Sequence, residues 1–237
     1  MKRHIPNAIT CCNLMCGCMA TFLAFNATQY PRYFVLAVIA IIAGAVFDFF
    51  DGMVARLLNV SSPIGKELDS LADVITFGVA PSALVFSLFQ QVQYPESVDF
   101  LRKVLPYSAF LMAAFSALRL AKFNLDTRQT TSFIGLPTPA NALFWGSIII
   151  GQYPFLTSGR FNALFLLAFM ILFCWLMVAE IPLFALKFKN LSWAENKIKY
   201  IFLAGCLPLL LLGYSALAAI IVWYVALSIY EVRRAAH

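Results

Sequence analysis

The sequence predicts an all-α fold, a polytopic membrane helix bundle of six to eight transmembrane helices forming one domain over residues 1–237. Three observations carry that prediction. The chain is 62% hydrophobic and only 12% charged, where an ordinary soluble domain is about a quarter charged. Apolar runs of about 20 residues, each long enough to cross a bilayer as a helix, recur along it. Its 17 lysines and arginines fall unevenly on the connections between those runs.

The first run follows a basic start, MKRHIPNAITCCNLMCGCMATFLAF. It has the outline of a signal peptide but no convincing small-x-small cleavage site, so it reads as a retained first helix. Spans are drawn at roughly 8–25, 34–57, 67–90, 103–123, 136–153, 161–187, 198–212 and 214–231. The last two share one apolar run broken at Gly213-Tyr214-Ser215, so that run is either two short spans or one long tilted helix with a surface segment. With eight spans and the N-terminus inside, thirteen of the basic residues lie on one side and only Arg32, Arg102, Lys103 and Arg160 on the other. The positive-inside rule makes the richer side cytoplasmic. The net charge of +6 therefore follows the membrane rather than a basic face, and no nucleic-acid partner is expected.

Of the six cysteines, Cys11, Cys12, Cys16 and Cys18 crowd the first span. They form no paired C-x2-C unit and have no histidine among them, so they read as small packing residues between helices rather than metal ligands. The only histidines, His4 and His237, sit at the termini, which argues against histidine catalysis.

Polar chemistry concentrates in DFFDGMVARLLNVSSPIGKELDSLAD, residues 48–73. Carboxylates at membrane depth are costly, so they mark a functional site. Asp48 and Asp51 are three apart and Asp69 and Asp73 four apart, so each pair shares a helix face. The intervening LLNVSSPIG reads as a turn. Two antiparallel helices joined there bring both pairs together, and all-oxygen ligands suit hard cations, Mg²⁺, Mn²⁺ or Ca²⁺, rather than zinc. Gly52 leaves room for a ligand beside the backbone. Arg56, one turn on, is a fork of donors for a phosphate. The bland alternative is a helix pair whose acids merely pair with Arg56 and Lys66, but two bases cannot match four acids.

The pattern D-x2-D-G-x2-A-R-x8-G-x3-D-x3-D, carried by Asp48, Asp51, Gly52, Ala55, Arg56, Gly65, Asp69 and Asp73, resembles the signature of the CDP-alcohol phosphotransferases, membrane enzymes of phospholipid synthesis. The stretches ALRLAKFN (117–124) and F-x-GLPTPA (from Phe133) resemble the bacterial phosphatidylserine synthase branch of that family. The resemblance covers most of the first 145 residues. It implies transfer of the phosphatidyl group from CDP-diacylglycerol to L-serine at the cytoplasmic face of a bacterial inner membrane, with release of CMP. It also implies two divalent ions, Mg²⁺ or Mn²⁺, held by Asp48, Asp51, Asp69 and Asp73, with Asp73 as the base, and a homodimer. Gly52, Arg56 and Ser62 would meet the nucleotide lipid, and Arg119 and Lys122 the serine carboxylate. Ser61 and Ser62 also suit a turn without any ligand, Arg119 and Lys122 suit snorkelling anchors, and Asn7 or Thr10 suits a helix cap. The same chemistry with glycerol 3-phosphate or inositol phosphate as acceptor is the adjacent expectation, and a cation transporter is the alternative from another class. Glu180, beside Pro182, reads as an acid deep in the sixth span without an assigned role.

Overall fold

The computed structural model describes residues 4–60, 62–126, 133–184, 186 and 192–235. Lys2, Arg3, Ser61, Arg128, Lys187 and Lys189, together with the stretch before Phe133, lie outside the described residues.

The apolar runs fold as α1 (His4–Asn26), α2 (Arg32–Leu57), α3 (Pro63–Asp73), α4 (Ala80–Phe89), α5 (Leu111–Leu125), α6 (Thr138–Leu156), α7 (Ala163–Val178), α8 (Trp193–Leu209) and α9 (Ala216–Ala235). By length and composition four helical stretches are able to cross a bilayer: α1, α2, the continuous rod Pro63–Phe89, and Asn196–Arg234; α7 is a shorter apolar helix. The chain is therefore a multi-pass helical membrane protein. Its outside is apolar as lipid requires, with Phe22, Ile39, Phe49, Phe165 and Trp175 all exposed.

The rod of α3 and α4 is the centre. Two thirds of its most apolar window (67%) is buried inside the protein, against 28% for α1 and for α2. One wide π turn, Val74–Val79, joins its halves, with the Ala80 N–H bonded to the Ile75 carbonyl. The cause is local: Pro81 has no N–H to give and its ring crowds the carbonyl four residues back, so the helix widens. The Ser82 hydroxyl takes up the Gly78 carbonyl at 2.7 Å.

That turn is clasped by α1 and α2 through glycines. A Cβ on Gly17 would lie 2.4 Å from Thr76 Oγ1, and one on Gly44 would lie 2.6 Å from Thr76 Cγ2. Only hydrogen at both positions lets the three helices approach this closely. Residue pairings fix the directions. Thr10 meets Asp51 across α1 and α2, Ser87 of α4 donates to the Ala24 carbonyl of α1, and Asn124 of α5 donates to Ser70 of α3. At the opposite end of the bundle, Gln93 bridges Asn162 and Tyr153 of α6 bonds Gln91. The core between is aromatic and aliphatic, with Phe144 stacked on Phe173 at 4.0 Å and Trp145 edge-on to both.

Several expectations are corrected. The sixth span ends at Val178, not near residue 187, and Glu180 is exposed beyond it rather than deep in a span. Pro182 ends the helix and biases its neighbour to extended backbone. The chain then forms β2 (Pro182–Leu183), antiparallel to β1 (Phe133–Ile134). Gly135 follows with φ +74°, and a Cβ there would lie 2.5 Å from the Met177 carbonyl. Of the two readings of the run from 198 to 231 the structure takes the broken one: the chain kinks at Gly213 (φ 58°, ψ −125°) and folds back so that Gly205 packs on Trp223. Asn7 and Thr10 lie inside α1, which is already helical at His4, so neither caps it.

Candidate active site

The site forms where the ends of α2 and α3 meet α1. α2 stops at Leu57 and the chain turns through Asn59, whose φ of 50° suits an asparagine. Ser62 caps α3, its Oγ accepting the Gly65 N–H at 3.0 Å, and Pro63 occupies the first turn. This short reversal sets the two acid pairs face to face.

One carboxylate oxygen each from Asp48, Asp51 and Asp69 lies within 4.8 Å of the others. Asp73 is not one of those three, but its carboxyl is a hydrogen-bond neighbour of Asp48 and lies within electrostatic reach of Asp69, Asp51 and Arg119. A like-charge pair at such a separation costs about 3 kcal/mol at the effective dielectric of a protein surface. No base relieves it: among the described residues the only ion pair is Arg102–Asp99, far along the chain. The pairing of these acids with Arg56 and Lys66 is therefore not seen.

Two residues of α1 complete the cluster. The Thr10 hydroxyl donates to Asp51 Oδ2 at 2.6 Å. Asn13 Nδ2 donates to Asp73 Oδ1 at 3.3 Å, and Thr76 Oγ1 donates to the Asn13 carbonyl at 3.0 Å. Asp69 Oδ1 is buried with no hydrogen-bond partner. Buried polar atoms are seldom left so. With carboxylate oxygens of Asp48 and Asp51 converging on the same carboxylate, the set fits a hard divalent cation.

A cavity of about 250 Å³ opens beside Asp51 and Asp69. Pro6, Asn7 and Thr10 of α1, Gly52 and Ala55 of α2, and Val60, Ser62, Gly65 and Lys66 line the rest of it. A Cβ on Gly52 would meet nothing within 4 Å, so the glycine keeps that space open. Arg56 is exposed and is not among the lining residues, whereas Lys66 is. On α5, Arg119 is buried at 7% exposure with its guanidinium 5.2 Å from the Phe123 ring, while Lys122 is exposed. The structure thus gathers Asp51, Asp69, Gly52 and Ser62 around one cleft, sets Asp48 and Asp73 beside those acids, brings Arg119 within electrostatic reach of Asp73, and leaves Arg56 and Lys122 on the surface.

The sequence reading named neither Asn13 nor Lys66 as a site residue. Asn13 carried a signal, an amide in the interior of an apolar helix. Lys66 carried none beyond its place in the turn.

A family model described as CDP-alcohol phosphatidyltransferase matches residues 3–230. A CDP-diacylglycerol–serine O-phosphatidyltransferase of Helicobacter pylori is 38% identical over 194 residues, 79% of this chain and 74% of the relative. The protein of the same description in Bacillus subtilis is 40% identical over 140 residues, 57% of this chain and 70% of its own length. One from Saccharomyces cerevisiae is 37% identical over 147 residues, 57% of this chain and 50% of the relative.

Proposed function

The chain belongs to the CDP-alcohol phosphatidyltransferase family, and from that we propose that it transfers the phosphatidyl group of CDP-diacylglycerol to the hydroxyl of L-serine, giving phosphatidylserine and CMP. The observation that carries the reading is the acid cluster itself: three aspartates within 4.8 Å, in no ion pair among the described residues, at the edge of a cavity with an open glycine wall. The names of the relatives support serine as the acceptor.

Asp48, Asp51, Asp69 and Asp73 would hold two divalent ions, Mg²⁺ or Mn²⁺. Such ions, when bound, neutralise the pyrophosphate oxygens and stabilise the leaving CMP. The chain's own residues do the rest. Thr10 holds the Asp51 carboxylate in one orientation through its short hydrogen bond. Asn13 does the same for Asp73, through one Asp73 oxygen. Asp73, beside the trio and within reach of Arg119, is the base that takes the serine hydroxyl proton, since that hydroxyl is a poor nucleophile at neutral pH. The cavity by Gly52, Ser62 and Lys66 receives the CDP head group. Arg56, exposed at the rim, reaches a phosphate only by swinging inward. Arg119 meets the acceptor's carboxylate, and Lys122 adds positive charge at the entrance. The whole chain, 1–237, works as one domain, as a homodimer in a bacterial inner membrane with this cleft toward the cytoplasm.

The test is CMP release from CDP-diacylglycerol by purified protein with Mg²⁺ or Mn²⁺, offering serine, glycerol 3-phosphate and inositol phosphate in turn. Release with serine alone is the expected result. Release with another alcohol keeps the four-aspartate chemistry and discards the acceptor. No release with any of them, from folded protein, overturns the enzyme reading.

A further inference from the structure

Among the described residues outside the acid cluster, unpartnered buried polar atoms occur singly on Tyr94, Trp145 and Trp223 and as a group on Arg119, Thr138 and Asn141. Thr138 and Asn141 are fully buried on the first turn of α6, and Thr138 Oγ1 and both amide atoms of Asn141 have no hydrogen bond. Arg119 Nε is buried and equally unpartnered. Leaving a buried donor or acceptor unpaired costs about 1–3 kcal/mol each. So many together ask what they receive.

Local contacts bring these residues to one neighbourhood. The Leu136 N–H bonds the Leu176 carbonyl at 2.9 Å, which ties the entry of α6 to the last turn of α7. Met177, the next residue, accepts from the Ser116 hydroxyl of α5 at 3.5 Å. Arg119 is one turn beyond Ser116 and interacts electrostatically with Asp73. The first turn of α6, Arg119 and Asp73 therefore surround the same inner end of the rod. The N-cap of α6 is Pro137, with no side-chain cap, and Pro139 follows. An uncapped helix start presents its positive end to an anion.

We propose that Arg119, Thr138, Asn141 and the open first turn of α6 form the acceptor subsite, binding the α-carboxylate of a small hydroxy-amino acid. This deepens the serine-transferase reading and rests on it. Arg119 and the helix start hold the carboxylate, and Thr138 and Asn141 gain the partners they lack. The acceptor's hydroxyl is left toward Asp73. The exposed Lys122 is not a member. Selection of an amino acid over other alcohols is thereby located on α5 and α6, not on the helices that carry the acids.

Asn141→Leu and Thr138→Val remove the polar atoms while keeping the bulk. Each is measured in the full-length protein with CDP-diacylglycerol and Mn²⁺, using L-serine, serine methyl ester and ethanolamine as acceptors. The serine KM is expected to rise about tenfold with the lipid KM unchanged. The preference for L-serine over its methyl ester, which has no carboxylate, should disappear. Stabilisation by CDP-diacylglycerol in a melting experiment checks folding, and if Asn141→Leu fails that check the nearly isosteric Thr138→Val decides. A wild type that releases CMP with serine, beside variants whose serine KM stays within about twofold, overturns the subsite and leaves the function standing. A folded wild type that uses no acceptor overturns the function and the subsite with it.

Discussion

Each carboxylate of the cluster should fail in its own way when replaced. Asp73→Asn keeps the shape and removes the proposed base, so kcat should fall about a thousandfold while CDP-diacylglycerol still stabilises the protein in a melting experiment. Rates near wild type would end the assignment of Asp73. Thr10→Val tests orientation instead. It removes the 2.6 Å hydrogen bond to Asp51, and loss of such a partner weakens metal binding about tenfold or more. The Mn²⁺ concentration for half-maximal activity should rise by that factor, and kcat at saturating Mn²⁺ should recover. An unchanged metal requirement would show that the hydroxyl serves only packing. The four aspartates were legible in the sequence because helical spacing of three and four puts each pair on one face whatever the rest of the chain does. Their partners were harder to read. Thr10 and Asn13 meet acids 41 and 60 residues away, and no local rule says which face of a uniformly apolar α1 will turn inward. The same limit separates Arg119 from Lys122: at three residues apart they look like one basic face, yet packing buries the first and exposes the second.

The helices hold the site through close approach. α1, α2 and the π turn cross at Thr76, so the cluster is only as well placed as that crossing. Gly44→Val would put a Cβ 2.6 Å from Thr76 Cγ2 and 2.9 Å from Asn13 Oδ1. Overpacking of this kind costs about 2 kcal/mol. Melting temperature and activity should fall together. Gly52→Ala is the contrast, since its Cβ meets nothing within 4 Å. It should melt like wild type and raise the KM for CDP-diacylglycerol, because the added methyl enters the cavity. A normal KM would mean that the nucleotide lies elsewhere. The turn between α2 and α3 was readable from Pro63 and Gly65. The β1–β2 pairing was not, since two-residue strands 48 positions apart leave no periodic trace in the sequence.

Across the whole molecule, contacts order the passes and make the orientation testable. Residue 59 lies on the turn by the acid cluster. The segment from Gln91 to Leu101 and the start of α7 lie at the other end of the bundle, joined by the Gln93–Asn162 bridge. The six cysteines of the chain are free, so a cysteine-free background is made by substitution alone, with no disulfide to replace. Into it Asn59→Cys and Glu96→Cys are introduced singly. Both residues are exposed and neither lines the cavity, so both variants should retain activity. In intact cells stripped of their outer envelope, a membrane-impermeant maleimide should label position 96 at once and position 59 only after permeabilisation. The basic residues predict that order because translocating them is costly, and the eight-span layout expected from the sequence puts thirteen of the 17 on the side of residue 59. The chemistry requires it as well, since a CMP-releasing site must face the compartment that holds nucleotides. Labelling of position 59 in unbroken cells would place the acid cluster outside. That would contradict the charge asymmetry and the proposed supply of substrate with one result.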